Sequence, residues 1–361
     1  MTVTLDDLRR MSVTRSLGRS TTLARALDAL GFIQADPIRA RARAQDLILR
    51  HRVRGYRVGD LDRLYPSLDV EEDVFINYGF VTRSLHALMH PRPVASLWPS
   101  PRNTRAQAVL AFVHEHGPVH PRDVDARFSH GTVTNYWGGS SNATTHLLDA
   151  LHYKGQLRVA RREAGIRLYA ARESSAAPVK SVERRARLDA LVDSVVRSYA
   201  PLPAASLSVA VRRLRYAVPQ WRAELPSALD SARQRLRHAR VDGVSWYWPA
   251  DEPLSLEPPD DGVRLLTPFD PVVWDRARFE MLWGWAYRFE AYTPTSKRKL
   301  GYYALPMLWR DRVIGWANVS SRGGELNAEC GYVRSRPPRD RGFAAALDEE
   351  VDRMRVFLRA R

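Results

Sequence analysis

Residues 104–172 carry the sequence pattern that most constrains how this chain can fold. The spacing of apolar residues predicts a helix over about 105–116, a short second helix that begins at Pro121, and a third helix that ends at Gly155. A two-stranded hairpin with a basic turn at 161–165 follows. Three helices and a hairpin in this order are typical of a winged helix, whose third helix can enter a DNA groove. Many winged helices bind protein instead, so the pattern leaves the partner open.

The rest of the chain divides into further units. Residues 187–248 repeat the same order of elements more weakly, and from about residue 262 short strands predict a small antiparallel barrel or sheet. Proline-rich stretches and changes in composition predict domains at 1–100, 101–176, 177–256 and 257–361. Other predicted helices lie at 21–31, at 59–64, within 71–89, at 227–240 and at 341–358, the last with Leu347, Val351, Met354 and Leu358 on one face. Predicted strands lie at 263–265, 285–292, 301–308, 313–319 and 325–333.

The charge of the chain indicates the class of its partner. It has 56 Lys and Arg against 40 Asp and Glu, a net charge of +16 and a pI of about 10.4. This excess favours nucleic acid over an anionic membrane, because no basic amphipathic anchor or long apolar run is present. The N-terminus carries no apolar signal segment, and Cys330 is the single cysteine, which excludes an internal disulfide and indicates a reducing cytoplasm.

A short stretch over 31–38 places Gln34 and Asp36 two residues apart between two helical patterns. In an extended segment both side chains share one face, where the amide can orient a water molecule and the carboxylate can accept its proton. Asp36-Pro37 is also a typical helix start, which predicts a helix that continues to about residue 51. A carboxylate at a helix N-terminus stays ionised, which suits stabilisation of positive charge better than strong-base catalysis.

Arginines surround this stretch and the predicted hairpin. Those that follow the Gln34/Asp36 pair either form a solvated helix face or bind phosphates beside the site; they are Arg39, Arg41, Arg43 and Arg50. Arg161 and Arg162 lie in the hairpin turn, from which a winged helix can touch the DNA backbone.

A second basic turn lies at 293–299 and contains Lys297, Arg298 and Lys299. It is either a solubilising hairpin tip or a finger that reaches into a DNA groove. Three histidines with no carboxylate or thiolate cluster nearby do not favour a metal site: His114, His116 and His120. The sequence also contains no phosphate-binding loop, dinucleotide fingerprint or nucleophile elbow.

Three stretches resemble the YcaQ/AlkZ family of bacterial DNA glycosylases, and the resemblance extends over nearly the full length of the chain. They are LGFIQAD at 30–36, LLTPFDPVVWDR at 265–276 and KRKLGYY at 297–303. The first is similar to the QxQ or QxD active-site motif of the family, and Asp36 places the chain in the QxD branch. Pro37 and Asn77-Tyr78-Gly79 depart from the family's sequences.

The resemblance implies an α+β fold of tandem winged helices arranged around a C-terminal antiparallel β-barrel, with a concave basic surface for DNA. It implies hydrolysis of the N-glycosidic bond of N7-alkylguanine, including unhooking of interstrand crosslinks. It also implies a hairpin that contacts DNA near the lesion, for which Lys297, Arg298 and Lys299 are the candidates. The expected partner is double-stranded DNA with alkylated or crosslinked guanine, bound by a monomer in the cytoplasm at the nucleoid, without a membrane.

The chemistry of this reaction suits Gln34 and Asp36. An N7-alkylated guanine is positively charged and departs readily, so positive charge develops on the sugar. Asp36 can stabilise that charge and receive the proton of a water molecule that Gln34 orients. With no evident Lys nucleophile, we expect a monofunctional enzyme with no cofactor or metal. The alternative is a non-catalytic winged-helix transcriptional regulator, which would bind a specific sequence as a dimer rather than a lesion.

Overall fold

The N-terminal part of the chain packs helices on a three-stranded antiparallel sheet. A computed structural model describes residues 2–18, 21–92, 100–134, 138–172, 179–254, 258–322 and 325–358; the predicted boundaries at 176 and 256 lie outside them. The N-terminal elements are α1 (Leu5–Leu17), α2 (Leu23–Leu30), β1 (Phe32–Gln34), α3 (Ala44–Leu49), α4 (Asp60–Leu64), β2 (Val70–Val74), β3 (Tyr78–Thr82) and α5 (Arg83–Met89). The strand order is β1-β3-β2. The helical structure predicted within 71–89 is confirmed only for α5, because the residues before α5 form β2 and β3.

The helix predicted to start at Asp36 begins only at Ala44. Residues 35–43 are irregular. Asp36 accepts a hydrogen bond from the N–H of Ile38 at 2.9 Å, the pattern of an Asx turn rather than of a helix cap. The expectation that a helix dipole acts on Asp36 is therefore wrong.

The second unit has the predicted order of three helices and a hairpin. Its elements are α6 (Ser100–His116), α7 (Pro121–Phe128), β4 (Thr132–Thr134), β5 (Ser140–Asn142), α8 (Ala143–Tyr153), β6 (Leu157–Glu163) and β7 (Ile166–Ala171). The hairpin turn is Ala164-Gly165, with φ of 48° and 85°. A two-residue turn of type I′ requires positive φ at both positions, and its backbone twist matches that of the two strands it joins. The element order agrees with a winged helix, and the winged-helix assignment itself stays a prediction.

The third unit combines helices with a small antiparallel sheet of order β8-β10-β9. Its elements are α9 (Ser181–Tyr199), β8 (Leu202–Pro203), α10 (Ala204–Arg213), α11 (Leu225–Arg235), β9 (Arg237–Val241) and β10 (Val244–Trp248). The predicted helix at 227–240 is too long, because Arg237 and Arg240 lie on β9. The strand predicted from the alternation of Val244, Trp246 and Trp248 is confirmed as β10, on which both tryptophans are buried.

The C-terminal part contains an open, curled antiparallel sheet of four strands, in the order β11-β12-β13-β14. Its elements are β11 (Val263–Leu265), α12 (Arg276–Trp283), β12 (Leu305–Trp309), β13 (Arg312–Arg322), β14 (Glu325–Tyr332) and α13 (Arg341–Leu358). Since β11 and β14 are the two edges, the sheet is an open half-barrel, and the predicted β-barrel is not confirmed as a closed one. The predicted strand at 285–292 is wrong, because this stretch is irregular. The strand predicted at 301–308 begins only at Leu305.

The face that α13 buries differs in part from the predicted one. The buried residues are Phe343, Ala346, Glu350, Met354 and Phe357. Glu350 belongs to this face because Arg50 pairs with it inside the protein. A sequence pattern that counts apolar residues alone misses such a pair.

Strand β1 lies between two hydrophobic cores. Phe32 packs into the core that contains α1, α5 and the third unit, and Ile33 packs into the core that joins α2, the second unit and the C-terminal sheet. Side chains alternate across a strand, so these consecutive residues serve opposite cores. Gln34 therefore extends from a strand that is fixed on both faces. No helix in the described part of the chain combines the length and apolarity needed to cross a membrane.

Candidate active site

The close pairing of β1 with β3 positions Gln34. Gln34 lies opposite Gly79 in the antiparallel register. A Cβ atom at Gly79 would lie 2.1 Å from the carbonyl oxygen of Ile33, far inside van der Waals contact. Glycine is required at this position because only a residue without a side chain lets the two backbones approach this closely.

Three units of the chain meet at the side chain of Gln34. Its Oε1 atom accepts one hydrogen bond from Asn77 Nδ2 and one from Trp274 Nε1, both at 2.8 Å. Arg213, at the end of α10, donates to the Oδ1 atom of Asn77. Sequence reasoning noted Asn77 only as a departure from the family and Trp274 only as part of a motif. No local pattern could show that they touch Gln34.

Asp36 has a looser environment. Its side chain is half-buried, and Oδ1 accepts the hydrogen bond from Ile38. Burial raises the pKa of the Asp36 carboxyl above its usual range, and the Ile38 hydrogen bond lowers it only in part. Burial and then the charge of Asp36 raise the pKa values of Tyr292 and Tyr303. A raised pKa makes Asp36 a better proton acceptor than a solvated aspartate.

Comparison with known proteins identifies the family of this chain. The family model described as DNA glycosylase AlkZ-like matches residues 27–357. The chain belongs to the AlkZ-like DNA glycosylase family. The structure of Streptomyces sahachiroi DNA glycosylase AlkZ has a similar fold, with a TM-score of 0.64 and 13% sequence identity over 99% of this chain and 98% of that chain. The resemblance found in the sequence is confirmed, and the protein is an enzyme of the DNA glycosylase class.

Gln34 and Asp36 of the glycosylase line different cavities, although the sequence predicted that their side chains share one face. Asp36 lines a cavity of about 720 Å³ together with Tyr78, Arg162 and Ile166. Gln34 lines a cavity of about 440 Å³ with Phe269, Trp274 and Arg276, among others. Neither of these two cavities is lined by both side chains, so neither encloses the pair as a single pocket would.

The predicted DNA-binding arginines fall into two groups. Arg39, Arg41 and Arg161 are exposed, and Arg41 and Arg161 also make hydrogen bonds to Val319 O and Glu163 respectively. Arg43 and Arg162 are turned inward: Arg43 pairs with Asp62 at 3.1 Å, and Arg162 donates to Glu72 at 2.7 Å. The guanidinium of Arg43 also lies against Gly165, so the hairpin turn packs on the segment that carries Asp36.

Buried acidic residues on β2 hold the second unit in place. Glu71 pairs with Arg158 and with Arg172 at 2.9 Å, and Glu72 pairs with Arg162. Glu71 and Glu72 are almost completely buried. All three arginines belong to the second unit or its end, so these pairs attach that unit to the N-terminal sheet.

The basic segment at 293–299 is a loop and not the predicted hairpin tip. A short 3-10 turn covers Thr295–Lys297, and β12 begins well after it. The Glu290 carboxylate accepts the backbone N–H groups of Lys299, Leu300 and Gly301 at 2.9, 2.8 and 3.2 Å. Lys297 and Lys299 are exposed, whereas Arg298 is half-buried. Arg298 stacks on Tyr302 and donates to Thr293 O, so it shapes the loop.

Asp73, His86 and His90 form the group in the described part of the chain that could hold a metal ion. Both imidazole Nε2 atoms contact one carboxylate oxygen of Asp73, at 3.2 and 2.8 Å, while Arg92 binds the other at 2.8 Å. Burial would raise the pKa of Asp73, but Arg92 and the two imidazoles lower it well below its usual range. The guanidinium already supplies the positive charge that this carboxylate needs, which opposes a metal cation here.

Two of the histidines considered in the sequence, His116 and His120, have other contacts. His116 stacks on Phe112, and the imidazole of His120 accepts the N–H of Arg122 as a cap of α7. Sequence reasoning missed the Asp73 group, because its members are brought together by the packing of α5 on β2.

Proposed function

We propose that this glycosylase is a monofunctional enzyme that hydrolyses the N-glycosidic bond of N7-alkylguanine in double-stranded DNA, including guanine held in interstrand crosslinks. The observation that carries the proposal is the pair of polar side chains on one short segment. Asp36 keeps a carboxylate oxygen and Gln34 keeps its amide nitrogen without a hydrogen-bond partner among the described residues. Membership of the family disfavours the alternative of a non-catalytic regulator.

The reaction balances with these two side chains alone. The bond between C1′ and N9 breaks, and its electron pair neutralises the positive charge of the N7-alkylated ring. The oxygen of a water molecule forms the new bond to C1′, and the water gives its proton to Asp36. Before this bond forms, the carboxylate stabilises the positive charge that develops on the sugar. The products are a neutral N7-alkylguanine and an abasic site.

No lysine amine forms a hydrogen bond to Gln34 or Asp36 in the part of the chain that the structure describes. A glycosylase that also cleaves the strand uses an amine to form a Schiff base with the sugar. The arrangement here supports water as the nucleophile, and hence a product that keeps its DNA backbone intact.

The two clefts beside the Gln34–Asp36 segment support activity on crosslinks. A guanine that is joined to the opposite strand cannot rotate far out of the duplex. A site made of two cavities rather than one enclosing pocket can receive the sugar of such a nucleotide while the base stays close to its partner strand. The volumes of about 720 and 440 Å³ leave room for substituents on the base.

The exposed basic residues are the proposed phosphate contacts. Arg39, Arg41 and Arg161 are exposed, and the guanidinium of Arg39 lies beside Gly165, which lines the Asp36 cavity. Lys297 and Lys299 are exposed on the loop after Tyr292. We assign Arg43, Arg162 and Arg298 mainly to the shape of the site, because each is engaged within the protein. The hairpin of the second unit, with its turn near Asp36, would then hold DNA beside the lesion rather than at a distance.

The test uses duplexes that carry one N7-methylguanine or one N7-linked interstrand crosslink. The enzyme should release the free base and leave alkali-labile abasic sites, with and without a metal chelator, and borohydride should trap no covalent complex. Asp340→Asn is a matched control for Asp36→Asn, because Asp340 also accepts the backbone N–H two residues later, at 2.8 Å. A lack of base release from both duplexes would refute the proposal, and metal-dependent cleavage of undamaged DNA would indicate a nuclease instead.

A further inference from the structure

The amide of Gln34 has only one orientation that fits its surroundings. Trp274 Nε1 and Asn77 Nδ2 both point at the same Gln34 atom, each at a distance of 2.8 Å. An indole N–H can donate a hydrogen bond but cannot accept one. The atom that faces Trp274 must therefore be the amide oxygen, and the amide nitrogen must face the other way.

The amide of Asn77 is oriented by the same logic. Arg213 donates to Asn77 Oδ1 and also to the carbonyl oxygen of Ile76, at 3.1 Å for the latter. A guanidinium carries donors and no acceptor, so the oxygen of Asn77 must face Arg213 and its NH₂ group must face Gln34. Arg213 also lies over the ring of Trp274, 5.5 Å from its centroid, and so contacts both partners of Gln34.

We infer that Arg213, Asn77 and Trp274 form an orientation lock, a set of positioning residues that makes Gln34 a dedicated hydrogen-bond donor towards the reacting sugar. The inference rests on the proposed function, to which it adds three positioning residues and the orientation of the Gln34 amide. The hydrogen bonds connect four side chains in the order Arg213, Asn77, Gln34 and Trp274. Arg213 and Trp274 at the two ends can only donate, which fixes the orientation of the two amides between them. Both lone pairs of Gln34 Oε1 are engaged, which leaves the two hydrogens of Nε2 for the site.

The direction of this amide determines how a water molecule can be held. The water accepts an N–H from Gln34 through one lone pair and donates one proton towards Asp36. Its second lone pair is then free to attack C1′. An amide in the opposite orientation would accept a water proton in competition with Asp36, and the proton would point away from its acceptor. The lock therefore acts on the reaction through Gln34, without contact with the substrate.

Three substitutions separate the parts of the lock. Gln34→Glu keeps an oxygen for Asn77 and Trp274 but presents no hydrogens to the site. Trp274→Phe removes the indole N–H and keeps an aromatic ring under Arg213. Asn77→Asp keeps an acceptor for Arg213 but places an oxygen opposite the oxygen of Gln34. We expect each to lower the single-turnover rate of base excision by about tenfold, with the affinity for lesion DNA changed less than about twofold.

The deciding measurement repeats the two lock substitutions in the Gln34→Ala background. If Trp274 and Asn77 act through Gln34, neither Trp274→Phe nor Asn77→Asp should lower the rate further by more than about twofold there. Equal losses in both backgrounds would overturn the inference, because they would show a general structural role. Trp283→Phe is the matched control, since Trp283 also donates one indole hydrogen bond, to Asp311 O at 2.9 Å, and it should leave the rate unchanged.

A second measurement needs no substrate. The indole N–H signal of Trp274, identified by its loss in Trp274→Phe, should exchange slowly with solvent in the free protein. The exchange should become faster in Gln34→Ala and stay slow in Gln34→Glu, which still offers an oxygen. Unchanged exchange in Gln34→Ala would overturn the lock. If wild-type enzyme excised no base, the proposed function would fail, whereas this measurement would still decide the orientation of Gln34.

Discussion

The two halves of the candidate site are built in opposite ways. Gln34 lies in a strand fixed between two cores, and side chains from distant parts of the chain hold its oxygen. Asp36 lies beyond the end of that strand, in an irregular segment, with one hydrogen bond from a neighbour two residues away. Two hydrogen bonds hold the oxygen of the amide in place, whereas partial burial raises the pKa of the carboxyl group.

Under the proposed function, this difference matches the different roles of the two side chains. A group that orients water must be held in one direction, and rigid contacts achieve this. A group that accepts a proton and faces a cation gains from incomplete solvation, and contacts with several donors would lower its basicity. The looseness of Asp36 is therefore compatible with function, and substitutions in the two halves should have different signatures.

The largest effect should come from Asp36→Asn, which removes the charge of the loosely held half. We expect excision of N7-methylguanine to slow by about 10²-fold or more, since losing one electrostatic partner of a transition state costs about 3 kcal/mol. Folding stability should change by less than about 1 kcal/mol, because Asn can still accept the Ile38 hydrogen bond. Single-turnover rates and thermal unfolding would measure this, and normal excision by the folded variant would remove the catalytic assignment of Asp36.

Gly79→Ala should break the rigidly held half. The added methyl group would lie 2.1 Å from the carbonyl oxygen of Ile33, so β1 and β3 would have to separate. We expect the free energy of unfolding to fall by about 3 kcal/mol. Gly342→Ala is the control, because its Cβ would meet Asp340 Oδ1 at 3.2 Å and no backbone atom. Equal stability of both variants in denaturant unfolding would show that the close strand pairing does not constrain the site.

The pH dependence should report on Asp36 alone. Its raised pKa means that the carboxyl group becomes protonated at a higher pH than an ordinary aspartate. Excision should fall as the pH drops through this value, by about tenfold per unit below it, with a midpoint above the usual pKa of about 4. Gln34→Ala should lower the whole profile without moving the midpoint. A midpoint at or below the usual value would contradict the role of burial.

The smallest effect should come from Lys297→Ala/Lys299→Ala on the loop outside both halves. We expect the rate of crosslink unhooking to fall by about two- to fivefold and the rate of excision of a methylated base to fall less. A crosslinked base cannot be displaced far from the duplex, so binding depends more on contacts with the groove. Stability should not change, because both side chains are exposed. The control is the double variant Arg334→Ala/Arg336→Ala, which removes two positive charges from exposed positions elsewhere. Equal losses on both substrates would reduce the loop to a general phosphate contact.

Sequence reasoning predicted the pair Gln34 and Asp36 from their local spacing together with the resemblance to a known family, and their catalytic role stays a prediction. It could not find Trp274, which reaches Gln34 from 240 positions away. It also placed a helix start at Asp36-Pro37, where local capping signals are strong. The structure has tertiary contacts there instead: Ile38 and Ala40 pack against a core, and Arg43 pairs with Asp62.

The error at 71–82 has a similar origin. Glu71, Glu72 and Asp73 are consecutive charged residues, which single-sequence patterns favour in an exposed helix. In the structure they lie on a buried strand, and each meets arginines that come from elsewhere in the chain. Buried charges need partners, and the partners are not visible from the strand itself. Three strands of the C-terminal sheet, β11, β13 and β14, were predicted better, because alternation of apolar and polar residues within each stretch was the signal.

The carboxylates of β2 have a practical consequence for how the enzyme responds to ionic strength. Ion pairs inside a protein are shielded only weakly by dissolved salt, whereas contacts with DNA phosphates release counterions and weaken steeply as salt rises. Among the arginines, those paired with Glu71 and Glu72 therefore keep the second unit attached, whereas the exposed ones are the proposed DNA contacts that salt would weaken. A rise from roughly 50 to 200 mM salt should detach the enzyme from undamaged duplex while its shape persists. Ionic strength would then control how far the protein travels along DNA before it stops at a lesion.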